Sequence, residues 1–514
     1  MIESLHPIVQ AMRPSPEQQP PILSRGADVA VTAGAGTGKT RTLVARFLSL
    51  LAEGVPLRSI LAITFTVKAA REMRNRIREE VRRFLQEGGL KLEERTRWQE
   101  IYSALDSARI STIHSLCAEI LRSHPAAIGV DPRFEMLDEG RTAILQARAV
   151  DAALNWAADE EEAVPLFLEF GAWQMRRMIE SLLKKRLELR QVQEWNGEQI
   201  WERWESLLTR PLKDFLEDDR VRENFRSLVE LRESGLLNQA AEAGDAFVPH
   251  LRAALDHWNE ILRAYRQGDW MDISRRLKPL REELKQKGRK ANWEPAEPKK
   301  IISQLQDDYD RLLAAYGKYP LDFAVDRQLA GDILPGLLHT VKRAEEHYER
   351  LKEQRRVLDY DDLESMAVAL LKEHPQALAY WQSQIRAVLV DEFQDTNARQ
   401  RDLLELINGR GNKLFIVGDG KQSIYRFRGA DVAVFREERE KIQQEGEAYQ
   451  LDTSYRAHAE LVELMNVLLQ PVLGKEDPDK PFLEPFAPLA HHRKKPSPGF
   501  SPPFLEFHLT VGRK

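Results

Sequence analysis

The sequence predicts an α/β protein in which a parallel sheet, covered by helices on both faces, is interrupted by a large all-helical insertion. Residues 22–115 alternate short apolar runs with amphipathic stretches, and residues 385–435 repeat this texture. Such alternation is typical of strands and helices in a parallel sheet. Between the two blocks, residues 116–349 are dominated by helical periodicity and dense charge. We therefore expect two halves of one sheet, separated in sequence by a helical domain.

The first block begins with an apolar run at residues 29–31, which leads through a glycine-rich turn into a helical pattern at residues 43–48. Residues 60–65 predict a buried strand, and residues 68–85 predict the helix that follows it. A strand, a glycine-rich turn and a helix in this order form the context that a phosphate-binding P-loop needs.

The turn at residues 33–40 reads Ala-Gly-Ala-Gly-Thr-Gly-Lys-Thr, so Ala33 stands where the P-loop pattern begins with glycine. Backbone N–H groups of such a loop and of the following helix point at phosphates. Lys39 would place a positive charge on the β- and γ-phosphates, and Thr40 would offer a hydroxyl to Mg²⁺. We expect ATP and Mg²⁺ here, bound by Gly34, Gly36, Thr37, Gly38, Lys39, Thr40 and Arg41.

The insertion contains eight of the ten tryptophans of the chain. Tryptophan can stack on nucleic-acid bases, but core packing is its more common use, and we favour packing for most of these residues. They are Trp156, Trp173, Trp195, Trp201, Trp204, Trp258, Trp270 and Trp293.

The second block predicts strands at residues 385–390 and 414–417 and a helix at residues 400–407. The first of these strands ends in two carboxylates, and a P-loop ATPase needs such a pair. Asp391 would hold Mg²⁺, and Glu392 would orient and deprotonate the attacking water. Gln422 follows the second strand and precedes aromatic and arginine residues, a pattern suited to sensing a phosphate and stacking bases.

Composition narrows the class of protein. The net charge is −5, so any DNA binding must come from local basic surface. No run of eighteen apolar residues occurs, and we expect no membrane span. Cys117 is the single cysteine, which excludes disulfides and cysteine-based metal sites within this chain and fits a reducing cytoplasm.

An ordered series of motifs resembles the UvrD/Rep superfamily 1 DNA helicases, and within them the AddA/RecB branch. Ser15-Pro16-Glu17-Gln18 resembles the Q motif, and the other matching segments follow in the family's order. They are residues 33–40, 64–70, 111–117, 358–363, 391–397 (motif II), 418–431 (motif III) and 453–456 (motif IV).

The resemblance implies roles at the ATP site. Gln18 would read the adenine, and Tyr455 would stack on it. Arg456 would contact the γ-phosphate from a second RecA-like domain. The catalytic residues would then be Lys39, Asp391, Glu392, Gln422 and Arg456. Gln422 would couple the γ-phosphate to the DNA.

The resemblance also implies contacts with single-stranded DNA, made by Thr64, Phe65, Thr112, His114, Tyr425 and Phe427. For Phe65 the alternative is a buried residue at a strand end. For His114 it is a helix cap or a core histidine. The chain departs from the family pattern at Val67 (usually Asn), at Gly420 and at Ser454 (usually Asn), none of which removes a catalytic group.

We expect a first RecA-like domain in two parts, residues 1–115 and 350–447, a helical inserted domain at 116–349, and the start of a second RecA-like domain at 448–514. The second domain holds a candidate strand at 504–509 after an extended linker at 478–503. Motifs V and VI are not found after Arg456, so we expect an N-terminal portion that hydrolyses ATP poorly.

The predicted function is that of an ATP-dependent DNA helicase or translocase, moving 3′ to 5′ in DNA repair or recombination. The expected partners are single- or double-stranded DNA and a nuclease or helicase subunit. The main alternative is an ATP- and DNA-binding module without motor activity. A P-loop kinase of small molecules would not explain residues 422–425 or the insertion, whereas an RNA-remodelling enzyme stays open.

Overall fold

The computed structural model describes residues 5–86, 90–285, 293, 298–317, 322–426, 429–474, 484–499 and 501–506. The chain forms two compact units, one from Met1–Leu137 with Arg356–Lys514 and one from Asp138–Arg355. The first unit is α/β, and the described elements of the second are helical. The predicted domain limits at 115, 349 and 447 differ from these limits, and the division into RecA-like domains stays a prediction.

The strands within the described ranges all lie in the first unit. They are β1 Val29–Ala33, β2 Ile60–Thr64, β3 Arg109–Thr112, β4 Glu135–Met136, β5 Val357–Leu358, β6 Ala387–Val390, β7 Leu414–Gly418, β8 Glu447–Leu451, β9 Thr453–His458 and β10 Ala490–Arg493. Six of them form one parallel sheet in the order β3-β2-β6-β7-β1-β8. The strands predicted near residues 29, 60, 385 and 414 are confirmed.

Helices account for most of the remaining chain. Those before the second unit are α1 Pro7–Ala11, α2 Gln19–Leu23, α3 Lys39–Ala52, α4 Val67–Gln86, α5 Leu92–Ala104, α6 Ile113–Ser123 and α7 Pro125–Ile128. Those of the second unit are α8 Glu139–Ala157, α9 Val164–Leu183, α10 Arg186–Leu189, α11 Gly197–Glu217, α12 Asp219–Glu233, α13 Leu236–Glu242, α14 Phe247–Gln267, α15 Trp270–Glu283, α16 Pro298–Ala315, α17 Phe323–Gln328 and α18 Leu334–Arg355. The first unit resumes with α19 Tyr360–Glu373, α20 Pro375–Gln384, α21 Ala398–Asn408, α22 Val432–Glu445 and α23 Ala459–Leu473.

Both faces of the six-stranded sheet are covered by apolar side chains. One face packs against Phe47, Met73 and Trp98, and the other against residues such as Leu116 and Trp381. Burial on both faces explains why the strands are nearly continuous apolar runs rather than alternating ones. The predicted α/β class, with its parallel sheet and helical insertion, is confirmed.

The topology of the sheet places the candidate site. β1 lies between β7 and β8, and β6 lies between β2 and β7. Because all six strands are parallel, their carboxyl ends meet at one edge, where ligands of open α/β sheets bind. The P-loop, the carboxylates of motif II and the start of motif III therefore converge, although they are far apart in sequence.

The helical unit has its own core, in which several tryptophans are packed. Trp201, Trp258 and Trp293 are buried, and the ring of Trp258 stacks on Phe225 with centroids 3.9 Å apart. Trp173 is exposed, and the other four tryptophans of the insertion are partly buried. This distribution agrees with packing as the main use of these residues.

The last described part of the chain corrects two expectations. Residues 490–493 form β10, which pairs with β9, although a linker is predicted there. A polar sequence such as this one does not predict a strand. The backbone partners of β10 come from β9 and from Asp452, whose carbonyl oxygen lies 2.9 Å from the Ala490 nitrogen. Residues 504–506 are irregular, with Phe504 against His458, whereas 507–509 lie outside the described residues.

Candidate functional site

The P-loop follows β1 and leads into α3, which begins at Lys39. Ala33 is the last residue of the strand, so the absence of glycine at the first motif position has no conformational cost. Gly38 has φ +94° and directly precedes the helix. A Cβ on Gly38 would lie 2.5 Å from Gln18 Nε2. Glycine is therefore required at this position for its backbone conformation and for space.

Gln18 is held against the loop by both polar atoms of its side-chain amide, and its adenine-reading role stays a prediction. Its side chain is buried, and Nε2 donates to the Thr37 carbonyl at 3.0 Å. Its Oε1 accepts from the Ser15 backbone N–H at 3.1 Å. The Thr37 hydroxyl in turn donates to the Gly34 carbonyl at 2.9 Å. Arg41 is exposed in the first turn of α3.

Lys39 links the P-loop to motifs II and III. Its Nζ lies 2.8 Å from Glu392 Oε2 and 3.2 Å from Gln422 Oε1. Glu392 has φ +53°, a left-handed conformation that is uncommon for a residue with a side chain. Backbone strain of this kind concentrates at functional sites, and here it occurs at the residue predicted to activate water.

Asp391 is buried directly beside Thr40, whose hydroxyl donates to its Oδ2 at 3.4 Å. Burial, followed by the charge of Glu392, raises the pKa of Asp391 from 3.8 to about 6, against the opposing charge of Lys39. A divalent cation at this point would offset the cost of burying the carboxylate. Among the described residues, no group of three or more His, Cys, Asp or Glu could hold a metal. Mg²⁺ commonly takes one or two protein oxygens and substrate phosphates, so Asp391 and Thr40 fit it.

Gln394 and Asp419 form a second layer of polar residues that joins motif II to motif III. No role was assigned to either residue from the sequence. Gln394 Nε2 donates to Glu392 Oε2 at 2.9 Å, and Gln394 Oε1 accepts from the Asp419 N–H at 3.0 Å. Asp419 Oδ2 accepts from Gln422 Nε2 at 2.6 Å. The family motifs contain these residues, but their partners become visible only in the folded chain.

Asp395 lies in the same layer, beside Gln394. Burial, followed by the charge of Glu392, raises its pKa from 3.8 to about 7. The site therefore holds two carboxyl groups, Asp391 and Asp395, whose pKa values approach neutrality, as groups near reacting centres often do.

Motif IV lies on the P-loop. The Tyr455 N–H donates to the Gly36 carbonyl at 2.9 Å, and a Cβ on Gly36 would lie 2.6 Å from Arg456 Cβ. The ring of Tyr455 contacts His492, at 4.7 Å between centroids. Leu489 covers Gly34, where a Cβ would lie 2.5 Å from Leu489 Cδ2. This last contact comes from the stretch predicted to be a linker.

Two of the predicted DNA-contacting aromatics meet at the same edge of the sheet. The rings of Phe65 and Tyr425 stack with centroids 4.7 Å apart and planes 29° apart. Both residues are partly buried, so Phe65 is not the fully buried strand-end residue of the alternative interpretation. Thr64 is buried, and its hydroxyl donates to the Thr66 carbonyl. Phe427 lies outside the described residues.

Thr112 and His114 occupy the start of α6. Thr112 caps this helix, since its hydroxyl accepts from the Ser115 N–H, so the capping role falls to Thr112 rather than to His114. The imidazole of His114 stacks on Tyr360 with centroids 4.1 Å apart. Its Nε2 lies 3.1 Å from Glu364 Oε1. His114 is partly exposed and Tyr360 is exposed, so this pair is accessible to a ligand.

The family described as UvrD/REP helicase N-terminal domain matches residues 14–443. The chain belongs to this family. The match covers the P-loop, motifs II and III and the helical insertion, and it confirms the resemblance seen in the sequence. The individual roles of the site residues stay predictions.

The curated relatives that the chain matches are considerably longer than the chain. An ATP-dependent helicase/nuclease subunit from Limosilactobacillus fermentum is 29% identical over 96% of the chain and 40% of the relative. Proteins of the same name from Lactobacillus johnsonii and from Bacillus cereus are 30% and 27% identical, over 89% and 90% of the chain. The chain spans about 40% of the length of these relatives.

Within the described ranges, no helix combines the length and the apolar character that crossing a membrane requires.

Proposed function

We propose that this UvrD/REP family chain is the ATPase and DNA-tracking part of an ATP-dependent DNA helicase that moves 3′ to 5′ along single-stranded DNA. The observation that carries the proposal is the convergence on Lys39. This residue contacts Glu392 of motif II and Gln422 of motif III, and Gln422 lies three residues before the stacked Tyr425. A change at the γ-phosphate thus has a short route to an aromatic base-stacking pair.

At the ATP site, the γ-phosphate would compete with Glu392 for Lys39. Because Lys39 now holds the Glu392 carboxylate at 2.8 Å, its transfer to phosphate would leave Glu392 to orient and deprotonate water. Asp391 and Thr40 would hold Mg²⁺, which neutralises charge on the phosphate oxygens when bound. Gln18 and Tyr455 would hold the adenine.

At the DNA site, stacking suits a motor because every base has a π-face. Phe65 and Tyr425 now stack on each other, and a base could insert between them if Tyr425 moved with Gln422. Stacking contributes about 1–3 kcal/mol per base and tolerates any sequence. Thr112 and His114 would contact the same strand.

One arginine of this chain is a candidate to complete the ATP site. Arg456 is the candidate arginine from a second RecA-like domain, and its backbone already lies beside Gly36. An arginine supplied to the γ-phosphate is worth roughly 10³–10⁵ in rate in related P-loop enzymes. We propose that a longer protein supplies a second such group and that the 514-residue chain alone hydrolyses ATP slowly.

The names of the relatives suggest the setting in which this motor works. Each relative is named as one subunit of an ATP-dependent helicase/nuclease, which implies a further subunit for those proteins. We propose a comparable partner for this chain and a role in DNA repair or recombination, with double- and single-stranded DNA as substrates.

ATP hydrolysis with and without single-stranded DNA tests the proposal. It should be measured for this chain and for the longer protein proposed to contain it, beside Lys39→Ala and Glu392→Gln. DNA should stimulate the longer protein, and both substitutions should abolish that stimulation. Unwinding of duplexes with a 3′ tail but not a 5′ tail would support the direction. ATP and DNA binding without stimulated hydrolysis in either protein would favour the non-motor module instead.

A further inference from the structure

A single buried carboxylate, Glu364 on α19, holds together elements of both candidate sites. Its Oε1 lies 3.1 Å from His114 Nε2 and accepts from Gln400 Nε2 at 2.5 Å. Its Oε2 accepts from Asn397 Nδ2 at 3.0 Å and from Arg399 Nε at 3.4 Å. Glu364 is only 3% exposed, and the sequence motifs assign it no role.

The surroundings of Glu364 keep it charged. Burial raises the pKa of the carboxyl group, but the hydrogen bond and charge of His114, with the bonds from Gln400 and Asn397, outweigh burial. The resulting pKa lies below the usual value. Burying an unpaired carboxylate costs free energy, and each of these partners offsets part of that cost by stabilising the charged form. Loss of the carboxylate would release all of these partners together.

The partners belong to two different functional segments. Asn397 ends motif II and caps α21, since its Oδ1 accepts from the Gln400 N–H at 2.9 Å. It therefore belongs to the segment that follows the catalytic Glu392, which we call the motif II arm (residues 392–397). His114 lies in the first turn of α6, in the segment predicted to contact DNA.

Glu364 and Tyr360 fix the imidazole of His114 in two directions. Tyr360 lies four residues earlier on α19, so both side chains lie on one side of that helix. Tyr360 covers the face of the imidazole, and Glu364 holds its edge. A rotation of His114 therefore requires the Glu364 bond to change.

We propose that Glu364 is a positioning residue that couples the motif II arm to His114, so that a change at the ATP site alters the affinity for DNA. The inference rests on the proposed function. Because Glu364 is buried, it would act through Asn397 on one side and His114 on the other rather than by touching ATP or DNA.

The test is the affinity of the full 514-residue chain for a fluorescent oligo(dT), measured by anisotropy with and without a non-hydrolysable ATP analogue. The variants are E364Q, H114A, the double variant, and E373Q as an exposed control on the same helix. We expect E364Q to weaken binding about tenfold, because it removes the negative charge and replaces one acceptor oxygen with an amide donor. The double variant should bind no more weakly than the weaker single one, whereas E373Q should stay within about twofold of the wild type.

A second variant addresses folding. N397S keeps a good helix cap but removes the amide that donates to Glu364. We expect it to reduce by at least half the effect of the ATP analogue on DNA affinity, a coupling that a merely structural residue would not carry. Unfolding midpoints should confirm that each variant is folded.

The outcomes separate the two proposals. If the wild-type chain does not bind the oligonucleotide, the proposed function fails, and this inference fails with it. If the wild type binds but E364Q matches it within twofold, or if N397S keeps the full response to the analogue, the proposed function stands and Glu364 has no positioning role.

Discussion

Gly38 offers a sharp test of the ATP site, because the chain contains a matched control. Gly38 and Gly54 both have φ +94°, but a Cβ on Gly38 would lie 2.5 Å from Gln18 Nε2, whereas nothing lies within 4 Å of one on Gly54. Alanine at either position adopts an unfavourable left-handed conformation, at about 1–2 kcal/mol. The lower entropy of the unfolded chain offsets about 0.4–1 kcal/mol of this.

Gly38→Ala carries a further cost. Gln18 must move by roughly 1 Å to reach ordinary contact, which breaks its buried bond to the Thr37 carbonyl. Leaving such a group unsatisfied costs about 1–3 kcal/mol. We therefore expect Gly54→Ala to destabilise the chain by about 1 kcal/mol and Gly38→Ala by about 2–4 kcal/mol.

ATP affinity should separate the two variants further. Loss of two hydrogen bonds to the ligand, each worth about 0.5–1.5 kcal/mol, corresponds to roughly tenfold or more in affinity. Calorimetric titration with ATP should show a loss of tenfold or more for Gly38→Ala and near wild-type binding for Gly54→Ala, with urea unfolding measured beside it. Equal stability losses and equal ATP affinities in the two variants would refute the reasoning that Gln18 and the P-loop form one site.

Three further predictions concern the charged and aromatic groups of the site. Because burial and then Glu392 raise the pKa of Asp391 to about 6, its neutral form favours folding below pH 4, and this contribution is lost as the pH rises through about 6. Asp391→Asn should therefore stabilise the nucleotide-free chain at pH 7–8 by on the order of 1–3 kcal/mol, measured by urea unfolding. The gain in stability should vanish near pH 4. An effect that does not change with pH would contradict the raised pKa of Asp391 as its cause. In the longer protein proposed above, Gln422→Ala should lower the ratio of DNA-stimulated to unstimulated hydrolysis by about 10-fold or more, because two bonds to charged groups are lost. An unaltered ratio would remove Gln422 from the coupling route. Phe65→Ala or Tyr425→Ala should weaken oligo(dT) and oligo(dA) binding alike, by about 5–100-fold, whereas the exposed neighbour Ile424→Ala should not.

The parts that could be predicted from the sequence are those set by local pattern. Apolar runs predict β1, β2, β6 and β7 because a parallel sheet buries both faces of each strand. The P-loop and the carboxylates of motif II follow these strands directly, and parallel topology brings them to one edge. Lys39, Glu392 and Gln422 are therefore brought together as the motifs imply, although the function of each stays a prediction.

The parts that could not be predicted depend on long-range partners. β10 is polar, and its pairing with β9 decides its structure. The hydroxyl of Thr64 is engaged by the Thr66 carbonyl within its own turn, which a motif does not reveal. Glu364 resembles any other helical glutamate in sequence, because its four partners come from α6, from α21 and from the residue that caps α21.

The central claim is that the ATP site and the DNA site are coupled through Lys39, Gln422 and Tyr425. The most direct test is the dissociation constant of this chain for oligo(dT), measured without nucleotide and with a saturating non-hydrolysable ATP analogue and Mg²⁺. Coupling between binding sites is reciprocal and typically amounts to about a 5–150-fold change. We predict at least a fivefold change in the wild type and a clearly smaller one in Gln422→Ala, in which only the route through Asn397 and Glu364 is left. An analogue that binds, as shown by separate titration, but leaves the wild-type DNA affinity unchanged would contradict the claim.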